Sequence, residues 1–150
     1  EIYGNSNLGF SNMYLKEFYL GYMTWKENIF IGGGINSFYL NCKLNYDICT
    51  THPHNYYLEI LSELGIVGMF IISVIFIKLL HLFFIIKKNF YLSSENNAIT
   101  AFAILFFVEI FPLKTSGSFF TTGNATYIFL LMAVIVGLSN KLIYFKKKKF

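Results

Sequence analysis

The sequence predicts an all-α, polytopic membrane protein fragment, in which an external helical loop region is followed by three transmembrane helices. Of its 150 residues, 55% are hydrophobic and 20% aromatic, whereas only 13% are charged. Soluble domains carry about 25% charged residues, and the mean hydropathy of this chain is +0.54. This composition excludes disordered, collagenous and coiled-coil proteins, and two cysteines are too few for a disulfide-dense secreted domain.

Three apolar segments carry the prediction of membrane spans, each of which needs about 20 residues. In the first segment, Lys78 and His81 lie in the last third, where a lysine can extend to the interface. The second is an apolar run of 16 residues that contains Glu109 and reaches a crossing length only with its flanks. We predict transmembrane helices at 64–86, 98–115 and 125–145.

The lysines predict the orientation of these helices. All 12 basic residues are lysine, and Lys87 with Lys88 and the run Lys146 to Lys149 close two of the apolar segments. Positive charge marks the cytoplasmic side, and lysines that are not interleaved with aromatic residues on one face do not indicate nucleic-acid binding. We therefore expect a periplasmic region at 1–63, a cytoplasmic loop at 87–97, a periplasmic turn at 116–124 and a cytoplasmic tail at 146–150.

The external region is predicted to contain two helices, at about 12–26 and 53–64. Ser11 or Asn12 can cap the first helix, which places Tyr14, Phe18, Tyr22 and Trp25 roughly on one face, and Gly32 to Gly34 end it. Thr50 to Pro53 begin the second, with a Thr or His at the cap and Pro53 at the first helical position. This helix ends at Gly65 or continues into the first span. The chain opens in a polar stretch without a signal-peptide pattern, so we interpret it as the C-terminal part of a longer membrane protein.

The densest set of chemically useful side chains follows Thr51. It comprises His52, His54 and Asn55, with Glu59 and Glu63 on the same face of the helix that follows. Histidine is the side chain best suited to take a proton near neutral pH, but an interfacial helix with a solvated polar face explains the same pattern. Metal binding by His52, His54 and Glu59 is a further alternative, which the missing i, i+4 histidine pair disfavours, so we predict no metal and no cofactor.

One motif resembles a known family. His54 and Asn55, then nine residues, then Gly65 and Gly68 are similar to the His-Asn-x9-Gly-x-x-Gly signature of O-antigen ligases, and to the same region of O-antigen polymerases and bacterial O-linked oligosaccharyltransferases. The stretch from Trp25 to Phe38 resembles the family's external helix that ends in a glycine-rich loop. The order of large external loop, histidine motif, closing spans and basic tail is similar as well.

The resemblance implies an inverting, metal-independent glycosyltransferase at the outer face of the bacterial inner membrane. Its donor would be a glycan on undecaprenyl pyrophosphate, and its acceptor a hydroxyl of lipid A-core, of another glycan or of a protein. His54 would be the base that takes the acceptor proton, and Asn55 would orient the sugar or His54. Glu59 and His52 are candidates for orienting the His54 imidazole, and Gly65 and Gly68 would be structural.

The absence of arginine is a departure from the family, which usually supplies arginine to the pyrophosphate, including one near the start of the helix before the glycine-rich loop. Lys16 or Asn12 occupies about that region, and Lys43 and Lys114 are further candidates. Either a lysine substitutes, or the arginine lies upstream of this sequence, or the protein is inactive; the fragment alone is expected to be inactive. A transporter or a structural subunit for lipid-linked glycan is the rival interpretation.

For several features, the sequence is compatible with two interpretations. Gly32 to Gly34 are either a phosphate-approaching loop or a turn, and Cys42 and Cys49 either pair or do not. Glu109 marks a functional or packing site, or faces the outer water. The turn at 116–124 is expected to lie beside the segment at 50–55 that carries His52 and His54, which we call the histidine loop.

Overall fold

A computed structural model describes residues 13–89 and 94–148 of the chain. This part is helical and contains no strand, which confirms the all-α prediction. The chain forms two compact units: the first comprises Glu1–Ile71 and Pro112–Asn124, and the second Ile72–Phe111 and Ala125–Phe150. The helices are α1 (Met13–Glu27), α2 (Phe38–Asn45), α3 (Tyr56–Asn89), α4 (Ser94–Glu109) and α5 (Thr122–Lys148).

Helix α1 lies within one residue of its predicted bounds, whereas its proposed caps, Ser11 and Asn12, lie outside the described residues. The aromatic face that the sequence suggested is not the buried face. Tyr22 is exposed and Trp25 half-buried, with their rings 5.8 Å apart. The side of α1 that packs into the first unit instead carries Glu17, Leu20, Gly21 and Thr24.

Helix α2 was not predicted, because its eight residues carry little apolar periodicity. Phe38 and Cys42 are its buried residues, and they pack with Leu20 of α1. A disulfide joins Cys42 to Cys49, with Cα atoms 6.1 Å apart, which settles the pairing that the sequence left open.

Helix α3 is broken at Gly65, whose backbone adopts φ 64° and ψ −165°. Only glycine adopts this region readily. The break leaves carbonyl groups before it and N–H groups after it without helical partners. The loop after α1 supplies them: Gly33 and Gly34 donate to the carbonyls of Ser62 and Glu63, at 2.9 and 2.8 Å. In return, the N–H groups of Ile66 and Val67 donate to the carbonyls of Ile29 and Phe30, at 2.9 and 3.2 Å.

Close backbone approach explains the glycines at this junction. A Cβ at Gly65 would collide with the carbonyl of Phe30, and a Cβ at Gly32 would collide with that of Glu63. Gly68 faces the Leu64 side chain across the break, where a Cβ has no room. The structural role expected for Gly65 and Gly68 thus has a steric basis. The N–H groups of Gly32, Gly33 and Gly34 all donate to backbone carbonyls, so the triplet is a docking turn rather than a phosphate cradle.

The start of α3 corrects one expectation. The helix begins at Tyr56 and not at residue 53, and its N-cap is Asn55 rather than a Thr or His. The reason is local: His54 has φ 51°, which a helix does not allow, and the Asn55 carboxamide offers the better cap.

Within the described residues, two helices are long and apolar enough to cross a membrane, at Tyr56–Lys88 and Thr122–Tyr144. In the first of these, the polar side chains Glu59, Ser62 and Glu63 precede the break at Gly65, and the apolar run follows it. Helix α4, with 16 residues, is shorter than a span requires and ends at Glu109, before the predicted end at 115. The residues of the second unit pack through aromatic contacts such as Phe76 with Phe106, whose ring centroids are 5.3 Å apart. Residues 90–93 of the predicted cytoplasmic loop and the side chains of the tail lysines Lys146 to Lys149 lie outside the described residues.

Candidate functional site

Asn55 fixes the end of the histidine loop. Its Oδ1 accepts hydrogen bonds from the backbone N–H groups of Tyr57 and Leu58, at 3.0 and 3.2 Å. Its Nδ2 donates to the carbonyl of Pro112, 2.7 Å away. Asn55 is only 5% exposed, and both ends of its carboxamide are engaged in hydrogen bonds to the backbone.

His54 combines a fixed backbone with an accessible ring. Its carbonyl accepts a hydrogen bond from the N–H of Ser116 at 2.8 Å, and the preceding Pro53 is buried. A non-glycine residue at φ 51° is strained and is kept only where its surroundings hold it. The side chain is 32% exposed, so its ring is accessible to solvent.

A carboxylate faces His54, and it is not the one that the sequence suggested. Nε2 of His54 lies 3.6 Å from Oε2 of Glu17, on the buried face of α1. The Tyr14 ring adds an edge contact to the imidazole, with centroids 6.1 Å apart. Sequence reasoning missed Glu17, because its position next to Leu20, Gly21 and Thr24 on one helical face became informative only once that face was seen to be buried.

His52 stacks on His54, with ring centroids 4.3 Å apart. Its Nδ1 lies 3.0 Å from the hydroxyl of Thr51, and its Nε2 is buried without a hydrogen-bond partner among the described residues. Burial lowers the pKa of His52, and the charge on His54 lowers it further. The lowered pKa favours the neutral form of His52.

Glu59 and Glu63 are buried and bind loops, so the polar face of α3 is not a solvated face. The carboxylate of Glu59 accepts hydrogen bonds from the Ser118 hydroxyl and the Phe119 N–H, and that of Glu63 accepts from the N–H groups of Asn36 and Phe38. Burial raises the pKa of Glu59 to about 7 in spite of these bonds, and it also raises the pKa of Glu63. Glu59 thereby attaches the 112–119 loop, as expected for a turn beside the histidine loop, and Glu63 attaches the start of α2.

The three candidate lysines occupy different surroundings. Lys16 is half-buried and directly precedes Glu17 on α1. Lys114 is half-buried in the loop that Pro112 and Ser116 tie to Asn55 and His54. Lys43 is exposed on α2, where its ammonium donates to the Asp47 carbonyl at 2.6 Å. Lys16 and Lys114 thus lie on the two segments that contact His54.

No group of three or more His, Cys, Asp or Glu side chains placed to hold a metal ion occurs within 13–89 and 94–148. Glu59, the third ligand in the metal alternative, is already engaged by Ser118 and Phe119.

The comparisons with known proteins give one match. The family model described as O-antigen ligase matches residues 15–73, which include α1, the glycine-rich loop, α2, the histidine loop and the Gly65 break. No curated protein and no solved structure shows a significant match to the chain.

Proposed function

Because residues 15–73 carry the domain of the O-antigen ligase family, we propose that this protein is a membrane glycosyltransferase. It moves a glycan from undecaprenyl pyrophosphate to an acceptor hydroxyl, with His54 as the general base. The observation that carries the proposal is the site itself: within the matched segment, an accessible imidazole is held at a fixed place beside a buried carboxylate.

The reaction is a single displacement. The acceptor oxygen attacks the anomeric carbon of the donor, and the bond from that carbon to the pyrophosphate oxygen breaks, which inverts the anomeric configuration. A hydroxyl is a poor nucleophile, so the base takes its proton in the transition state. His54 is the better candidate for this base, since its ring is accessible, whereas Nε2 of His52 is buried.

The pyrophosphate leaving group needs positive charge to stabilise it rather than an acid to protonate it, because pyrophosphate already departs readily. This sequence contains no arginine, so among its own residues lysine is the group that can supply this charge. Lys16 and Lys114 are the favoured candidates for this charge, because Lys16 is next to Glu17 and Lys114 lies in the same loop as Ser116. For Lys43, only its charge supports such a role. A lysine contributes a point charge without the bidentate fork of arginine. The proposed step itself uses no cofactor and no metal.

The proposed setting is the bacterial inner membrane, with the histidine loop in the periplasm and the lipid bilayer around the spans at 64–86, 98–115 and 125–145. The Cys42–Cys49 disulfide supports it, since disulfides persist in oxidising compartments. The second span is supported by the path of the chain. Pro112 and Ser116 contact residues just before α3, so a chain that crosses in α3 returns through α4 before it crosses again in α5.

The test is complementation of a strain that lacks the gene with the full-length wild-type protein, the His54→Ala variant and, as a matched control, the His81→Ala variant. Lipopolysaccharide and lipid-linked glycan are read on one gel. We expect His54→Ala alone to lose the product. Loss of the long ladder with polymer accumulating on its lipid carrier indicates a ligase, and a single repeat on core indicates a polymerase. A normal ladder with His54→Ala would contradict the mechanism and favour a transporter.

A further inference from the structure

Glu17 occupies an unusual position for a carboxylate. It is 4% exposed, and both of its oxygens are buried without a hydrogen-bond donor among the described residues. Burying an unpaired carboxylate is unfavourable. The basic group that faces it is Nε2 of His54, 3.6 Å from Oε2.

The close packing of α1 against Pro53 keeps Glu17 near His54. One turn after Glu17, Gly21 lies against the residue that precedes His54, and a Cβ at Gly21 would come within 2.7 Å of the Pro53 Cβ. The carbonyl of His54 is bonded to Ser116 on its other side. Glu17 is therefore positioned by α1, and the backbone of His54 is held by the 112–119 loop.

The other carboxylates nearby are already used. Glu59 binds Ser118 and Phe119, and Glu63 binds Asn36 and Phe38. Glu17 alone among these three has oxygens that accept no hydrogen bond from a described residue.

We infer that Glu17 is the positioning residue for His54: its buried carboxylate keeps the imidazole proton on Nε2, so that Nδ1 presents its lone pair to the acceptor hydroxyl. When Nδ1 takes the acceptor proton, the resulting imidazolium is paired with the Glu17 carboxylate. The Nε2–Oε2 separation of 3.6 Å is within the range of an ion pair once the imidazole is protonated. The inference rests on the proposed function.

The experiment measures glycan transfer by the full-length protein in membranes, with an undecaprenyl-pyrophosphate glycan as donor. The variants are Glu17→Gln, Glu17→Asp, His54→Ala and the double variant, with Glu27→Gln as the control on the exposed side of the same helix. We expect Glu17→Gln to lower kcat about 100-fold, in the range of general-base effects. KM for the donor and the melting temperature should not change. Glu17→Asp should recover part of kcat, and Glu27→Gln should equal the wild type.

The double variant separates positioning from a structural role. If Glu17 acts through His54, Glu17→Gln adds no further loss to His54→Ala. Additive losses, a wild-type kcat in Glu17→Gln, or a Glu17→Gln protein that does not fold would each overturn the inference. An inactive wild type, or a fully active His54→Ala, would instead reject the proposed function.

Discussion

The side-chain amide of Asn55 donates a hydrogen bond to the carbonyl of Pro112 over 2.7 Å, which joins the start of α3 to the loop before α5. The same side chain caps α3 through its Oδ1. One residue thus positions the backbone of His54 and the loop that contacts it.

Asn55→Asp separates these two functions, because aspartate caps a helix well but cannot donate to Pro112. We expect the start of α3 to stay protected, while amide hydrogen exchange in the 112–119 loop accelerates and glycan transfer falls about tenfold, as for a misplaced catalytic group. Asn55→Ala should lose the cap as well, at an added cost of about 1 kcal/mol. Unchanged exchange in the 112–119 loop of Asn55→Asp would show that the Pro112 contact does not hold it.

Gly65→Ala tests the broken helix. Its φ of 64° and the Phe30 carbonyl leave no place for a Cβ, so we expect a loss of at least about 2 kcal/mol, seen as a lower melting temperature or as little folded protein. Gly137→Ala is the matched control, since a Cβ there meets open space. Equal melting temperatures for the two variants would contradict the packing described for Gly65.

The Cys42–Cys49 disulfide leads to predictions about the stability of the protein and about the side of the membrane on which this segment lies. Closing so short a loop contributes about 2 kcal/mol by the chain-entropy model, so replacing both cysteines with serine should lower the melting temperature moderately. In intact cells, a membrane-impermeant maleimide should label Cys42 and Cys49 only after reduction. Labelling without reduction would contradict the disulfide, and no labelling after reduction would contradict the periplasmic assignment.

The raised pKa of Glu59 predicts that the stability of the protein depends on pH. Its pKa of about 7 lies above the usual 4.5, so between these values the folded protein binds more protons than the unfolded chain. Stability from this group is therefore present at low pH and is lost as pH rises through about 7. His52, with its lowered pKa, acts in the opposite direction, so the measurement is the difference between the wild type and Glu59→Gln.

We expect the melting temperature of the wild type in detergent to fall more between pH 5 and pH 8 than that of Glu59→Gln, in which the neutral amide can still bind Ser118 and Phe119. Glu27→Gln, on the exposed side of α1, should keep the wild-type slope. Parallel curves for the wild type and Glu59→Gln would exclude the proposed titration.

Local patterns in the sequence predicted much of this fold. The bounds of α1 follow from helical periodicity ended by glycines, and the apolar runs of α3 and α5 from their length and hydropathy. The spacing of His54, Asn55, Gly65 and Gly68 predicted the resemblance to O-antigen ligases, and the family model of that description matches residues 15–73.

Contacts between distant segments could not be predicted in the same way. Helix α2 is short and weakly amphipathic, and the contacts that it makes with the Glu63 carboxylate and through the disulfide have no local sequence signal. Glu17 reaches His54 only because Gly21 lets α1 approach Pro53, which no periodicity reveals. The start of α3 was misplaced because Pro53 is a common first helical residue, whereas the positive φ of His54 has no sequence signal.

The central claim is that His54 takes the acceptor proton, and the most direct test is single-turnover glycan transfer by purified full-length protein, with defined lipid-linked donor and acceptor. The account predicts that His54→Ala lowers the rate of the chemical step by about 10²–10⁴-fold while donor binding and the melting temperature persist. A His54→Ala rate within a few-fold of the wild type would contradict it.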